Sequence, residues 1–111
     1  MPLTRSFRET VADRARKNPE FRAMLVEEAM QALADGDAET ARSLLRHVAN
    51  ATIGFQALSS ETGIPEKSLM RMLGPKGNPS LLNLGSIVRA INKHVGVRVM
   101  ARVEMAGVAA E

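Results

Sequence analysis

The sequence predicts an all-α fold of five or six helices closed by one short C-terminal β-strand, and three observations carry that prediction. Apolar residues recur at helical spacing in successive blocks, Gly, Pro and capping residues punctuate those blocks, and only the last block, Val97 to Glu104, alternates with a period of two. Three Phe and no Tyr or Trp leave Leu, Ile, Val, Met and Ala to fill the interior, which suits helix packing. The 111 residues suffice for one compact unit with a short appendage. With 45% hydrophobic and 24% charged residues the chain has the proportions of a folded protein.

Arg5 to Lys17 reads as a short charged helix whose few apolar residues, Phe7, Val11 and Ala15, are spaced by four. Asn18 and Pro19 supply a cap and a first helical residue for a second helix, in which Phe21, Met24, Leu25, Ala29, Ala32 and Leu33 keep helical spacing until Gly36. Asp37 can cap a third, with Ala41, Leu44, Leu45 and Val48 on one face. Two segments of barely two turns follow, Phe55 to Thr62 and Ile64 to Leu73, separated by Gly63; both are too short to persist without packing on neighbours. The breakers Gly74-Pro75-Lys76-Gly77-Asn78-Pro79 make a loop. Ser80 can cap a last helix striped by Leu84, Ile87, Val88 and Ile91 and closed by Gly96. The remaining Met residues, Met70 and Met72 among them, are read as core filler.

The terminal strand has β-branched residues at Val97, Val99 and Val103 and charges at Arg98, Arg102 and Glu104. Alone in a helical protein, it would leave its backbone groups unpaired. The same strand of a second chain, antiparallel across a two-fold axis, is the simplest partner, so a homodimer is expected; the alternative is a frayed tail.

Several function classes are disfavoured. The chain has no cysteine, hence no disulfide and no thiolate metal site. Met1 to Phe7 lacks a long apolar run, and no stretch has the eighteen or so apolar residues of a membrane span, so a cytoplasmic protein is expected. His47 and His94 have no second ligand at helical spacing, and Glu27-Glu28 and Asp35-Gly36-Asp37 read as solvated surface, so neither metal nor cofactor is expected. No nucleophile elbow, phosphate loop or zinc-protease motif is present, which argues against an enzyme.

Charge points elsewhere. Residues 1–53 carry eight Lys or Arg against eight acids, whereas Pro65 to Arg102 holds seven bases (Lys67, Arg71, Lys76, Arg89, Lys93, Arg98 and Arg102) and one acid, Glu66. A locally basic segment in a near-neutral chain suits a phosphate-facing surface, although solvated Lys and Arg give the same count. Within it, Gly54 to Leu73 has the arrangement of a helix-turn-helix. Leu58 anchors the first helix, small Ser59 admits the second close by, Gly63 takes the turn, Ile64 plugs the corner, and Leu69, Met72 and Leu73 hold the second helix inward. Pro65, Glu66, Lys67, Ser68 and Arg71 are left to face outward, as on a helix entering the major groove of double-stranded DNA; protein contacts alone are the alternative use of such a pair.

The run Leu58-Ser59-Ser60-Glu61-Thr62-Gly63-Ile64-Pro65-Glu66-Lys67-Ser68-Leu69, then Met72-Leu73 and Gly77-Asn78-Pro79-Ser80-Leu81, resembles the lambda-repressor-like (Cro/Xre) helix-turn-helix proteins. More narrowly, with Asn18-Pro19-Glu20-Phe21 and the helix to Leu33, it is similar to the HigA-like antitoxins of type II toxin–antitoxin modules, over roughly residues 7–100. The resemblance implies a lambda-repressor-like domain at residues 37–96, an N-terminal helical extension at 1–36 and a strand and tail at 97–111. It implies an autorepressor that binds its operator and neutralises a RelE/ParE-type toxin, or a stand-alone regulator without a toxin. Lys67 and Arg71 would reach base edges or phosphates, Glu66 a cytosine amine, and Ser68, Lys76, Gly77 and Asn78 the sugar-phosphate backbone. Where the family carries a phosphate-contacting glutamine this chain has Phe55, with Gln56 one residue on, and Ser59 stands where Ala is common.

Overall fold

Caps written into the sequence set the helix boundaries. In the computed structural model, which describes residues 3–107 and their side chains from Thr10 onward, the chain forms α1 (Leu3–Lys17), α2 (Pro19–Ala34), α3 (Ala38–Ala51), α4 (Phe55–Thr62), α5 (Glu66–Met72) and α6 (Leu81–Val95). The Asn18 side chain accepts from the Phe21 amide at 3.1 Å, Asp37 from Thr40 at 3.1 Å and Ser80 from Asn83 at 3.1 Å, each satisfying a first-turn donor. All three were expected positions.

Asp37 gives the fold an acid sensitivity. Hydrogen bonds from the Thr40 side chain and amide hold its carboxyl below the ordinary aspartate range. Its folded value therefore lies under its unfolded one, so the stabilisation is complete above the unfolded value and disappears as pH falls through the folded one. Asp37→Asn, which caps without titrating, is expected to lose less stability than the wild type on acidification through the carboxylate range. Urea midpoints measured across that range check it.

One core joins all six helices. Leu45 and Val48 of α3, Leu58 of α4, Leu69 of α5 and Ile87 and Ile91 of α6 are fully buried, and Ala15, Leu25, Val26 and Ala29 of α1 and α2 belong to the same cluster. The N-terminal pair thus shares its interior with the helices that follow. Two long side chains strengthen the α1–α2 junction: Arg22 donates from one guanidinium nitrogen to the Ala15 and Arg16 carbonyls at 3.0 Å each, and the Arg14 guanidinium lies 4.4 Å from the Phe21 ring centre. Charge on Arg22 sits where the carbonyl end of α1 favours a cation. The expected Phe7 position lies outside the described side chains.

The packing corrects parts of the expected core. The buried face of α2 is centred on Leu25, Val26 and Ala29, so Met24 falls on its edge and Leu33 in its last turn, and both are exposed. Val26, which the spacing did not pick out, takes the interior place. Residues 97–105 follow neither helix nor turn, and among the described residues no strand forms. A ladder needs a second strand, which one copy of the chain does not supply. Residues 108–111 of the expected tail lie outside the described residues.

Candidate nucleic-acid interface

Small hydroxyls fasten α4 to the turn that leads into α5. Ser59 Oγ donates to the Ile64 carbonyl at 2.6 Å, while Thr62 Oγ1 donates to the Leu58 carbonyl at 2.8 Å and accepts from the Ile64 amide at 3.2 Å. Gly63 ends α4 with φ 76°, a left-handed conformation that a residue with a Cβ rarely adopts. Spacing alone gave Ser59 the role of a small residue; the structure adds a hydrogen bond to it. Ser59→Ala keeps the close crossing but strands a half-buried carbonyl, and is expected to lower unfolding free energy by about 1 kcal/mol in urea titration.

Seven residues make α5 two-sided. Leu69 is 0% exposed, Leu73 at its C-cap is buried and Met72 is half-buried against the core. Successive helical residues turn by about 100°, so Lys67 and Arg71 fall opposite Leu69. Both are exposed, as is Glu66, and Ser68 is half-buried at the edge. Pro65 is exposed and occupies the N-cap. Met70 is 46% exposed, contrary to its expected place in the core, because Leu69 and Leu73 already fill the inward side of this short helix. It borders a shallow depression of about 480 Å³ together with Arg46, Arg71, Gly74, Pro75 and Lys76.

The loop after α5 is fastened from below. Arg42 of α3 donates from Nε to the Gly74 carbonyl at 3.1 Å and from Nη2 to the Pro75 carbonyl at 2.9 Å. Gly77 donates its amide to Gly74 at 3.0 Å and is buried against the carbonyl end of α5. Its amide is therefore engaged within the loop, where Gly77 positions its exposed neighbours Lys76 and Asn78. Phe55 is buried in the core, which leaves Gln56 as the exposed residue at the start of α4.

Arg46 and Arg42 are the contributions that sequence reasoning missed. They lie four apart on α3 and so share a helix face, but in a half of the chain where acids balance bases they carried no local signal. Among the described residues no ion pair involves Arg46, Lys67, Arg71 or Lys76, whereas Lys93 on α6 approaches Glu61 to 3.9 Å. Arg46, Arg71 and Lys76 border one depression at the C-terminal end of α5, and Lys67 lies one helical turn before Arg71, an arrangement that attracts polyanions. Among the described residues no His, Asp and Glu group could hold a metal ion, and no helix is long and apolar enough to cross a membrane. Comparison with protein-family models, curated proteins and solved structures finds no match.

Proposed function

We propose that the chain is a sequence-specific regulator that binds double-stranded DNA, with α5 entering the major groove. The observation that carries this reading is the exposed pair Lys67 and Arg71, set opposite the buried Leu69, with Lys76 and Arg46 beside Arg71. Arg71 reads a guanine edge, the commonest specific contact, and Lys67 a neighbouring edge or phosphate; Glu66 accepts from a cytosine amine. Ser68, Lys76, Asn78, Arg46 and Gln56 hold the sugar-phosphate backbone and set the register. In a two-fold assembly the paired helices meet half-sites roughly 34 Å apart. No step of this activity is catalytic, and its place is the cytoplasm. The resemblance of residues 18–33 and 58–81 to the HigA-like antitoxins supports a second role, neutralising a RelE/ParE-type toxin and repressing a shared operon.

The test is fluorescence anisotropy with the chain's own upstream promoter fragment over a series of salt concentrations. Affinity is expected to fall by about a thousandfold or more between 50 and 200 mM salt for a dimer that makes six or more phosphate contacts. No binding in dilute buffer, or binding indifferent to salt, overturns the reading. A protein-interaction module on the same scaffold is favoured by one feature, the exposed Leu81 and Leu82 in the first turn of α6. Salt-insensitive capture of a protein partner, with no DNA binding, is the result that reading requires.

A further inference from the structure

Beyond Val97 the chain carries an unused pairing edge. The Val97 amide still bonds to the Asn92 carbonyl at 3.0 Å, and its side chain packs on the core. From Arg98 to Met105 no residue takes part in a hydrogen bond or ion pair among the described residues. Glycines with positive φ, Gly96 and Gly107, bound the segment, and it contains no proline. Odd positions are all apolar (Val97, Val99, Ala101, Val103 and Met105), while Arg98, Arg102 and Glu104 occupy even ones. Such a pattern fits a strand with one sheltered face, yet Val103 is 91% exposed.

We infer that residues 97–105 pair antiparallel with the same segment of a second copy, on a two-fold axis passing through Ala101. This assembly rests on the two-fold arrangement proposed above and requires no DNA. Side-chain complementarity selects the register. With the axis at Ala101, Arg98 of each copy faces Glu104 of the other, Val99 faces Val103, and Met100 lies beside Arg102. Moving the axis to Met100 sets Arg98 against Arg102 twice, and moving it to Arg102 sets that arginine against itself. A slip of one residue places valines opposite charges and turns the apolar face outward. An axis at Val103 also sets Arg102 against Glu104, but within the segment it pairs only residues 101–105, whereas the axis at Ala101 pairs all of 97–105. Opposite charges facing each other across a ladder are favourable and like charges are not, so the longest self-complementary ladder is the one centred on Ala101.

The absence of cysteine makes cross-linking a direct test. Under mild oxidation without DNA, Ala101→Cys is expected to form a covalent dimer. Val99→Cys alone is not, because its two copies would stand about 13 Å apart along the ribbon and a disulfide needs Cα atoms within about 7 Å. The same holds for Val103→Cys, whereas a mixture of the two should link. In sedimentation equilibrium Glu104→Arg should weaken the dimer about tenfold or more, and Arg98→Glu/Glu104→Arg should restore it. A monomeric wild type, equal cross-linking at all three positions, no linking at Ala101→Cys, or failure of the charge swap overturns the inference. A cross-linked dimer that binds no DNA would leave it standing while removing the nucleic-acid reading.

Discussion

Gly77→Ala is expected to destabilise the protein by about 3 kcal/mol, more than any other substitution of a single hydrogen atom by a methyl group in this chain. A Cβ built on Gly77 would lie 1.9 Å from the Met72 carbonyl oxygen and 2.5 Å from that of Arg71. The obstacle is backbone at the C-terminal end of α5, which has no rotamer to change. Relief requires the loop to swing away, breaking the Gly77 amide bond to Gly74 and straining the Arg42 bonds to Gly74 and Pro75. With ordinary domain stabilities of about 5–15 kcal/mol, this change removes a large share of the total. Thermal unfolding should move down by roughly 10 °C or more. Gly85→Ala is the matched control: Gly85 lies within α6, and a Cβ there meets nothing within 4 Å. Helix propensity then dominates, and stability should rise by about 0.5–1 kcal/mol. Equal effects at the two positions would contradict the close seat of Gly77 against the end of α5.

Residue order made much of this helical scaffold readable. Asn18, Asp37, Ser80 and Gly96 act where their side chains or freedom of φ dictate, because capping is a local interaction settled within four residues. The inward places of Leu58, Leu69, Ile87 and Ile91 follow from periodicity for the same reason. What escaped was set by contacts distant in sequence. Arg42 reaches carbonyls 32 and 33 residues away, and no spacing rule announces such a partner. Met70 has an apolar side chain, but the short α5 has only one inward side and Leu69 and Leu73 occupy it. Residues 97–105 show the converse: their alternation is plain in the sequence, while the ladder that would use it needs a strand from outside the chain. At the candidate interface, Lys67 and Arg71 are exposed on α5 as the helix-turn-helix spacing expects, Lys76 and Asn78 are exposed in the loop that follows, and Arg46 joined Arg71 and Lys76 only once α3 was placed beside the loop.

Reversing both charges on the outer side of α5, Lys67→Glu with Arg71→Glu, is expected to weaken promoter binding by at least about a hundredfold, since a lost base contact costs about 1–3 kcal/mol and each phosphate contact adds to the salt-dependent part. Folding should be spared. Both side chains are exposed, neither takes part in an ion pair among the described residues, and the anchoring Leu69 is untouched. Circular dichroism and the thermal midpoint should therefore match the wild type. Net charge changes as well, so the comparison needs a variant with the same change elsewhere. Arg16→Glu with Lys17→Glu on α1 provides it, because these residues are exposed and their ion pairs with Asp13 are solvated ones of little worth. If α5 occupies the groove, the α1 variant should retain most of its affinity and its salt slope, whereas the α5 variant should lose about one unit of slope for each phosphate contact removed. Equal losses in the two variants would mean that duplex DNA responds only to overall charge, and an unaffected α5 variant would move the contact to another face of the molecule.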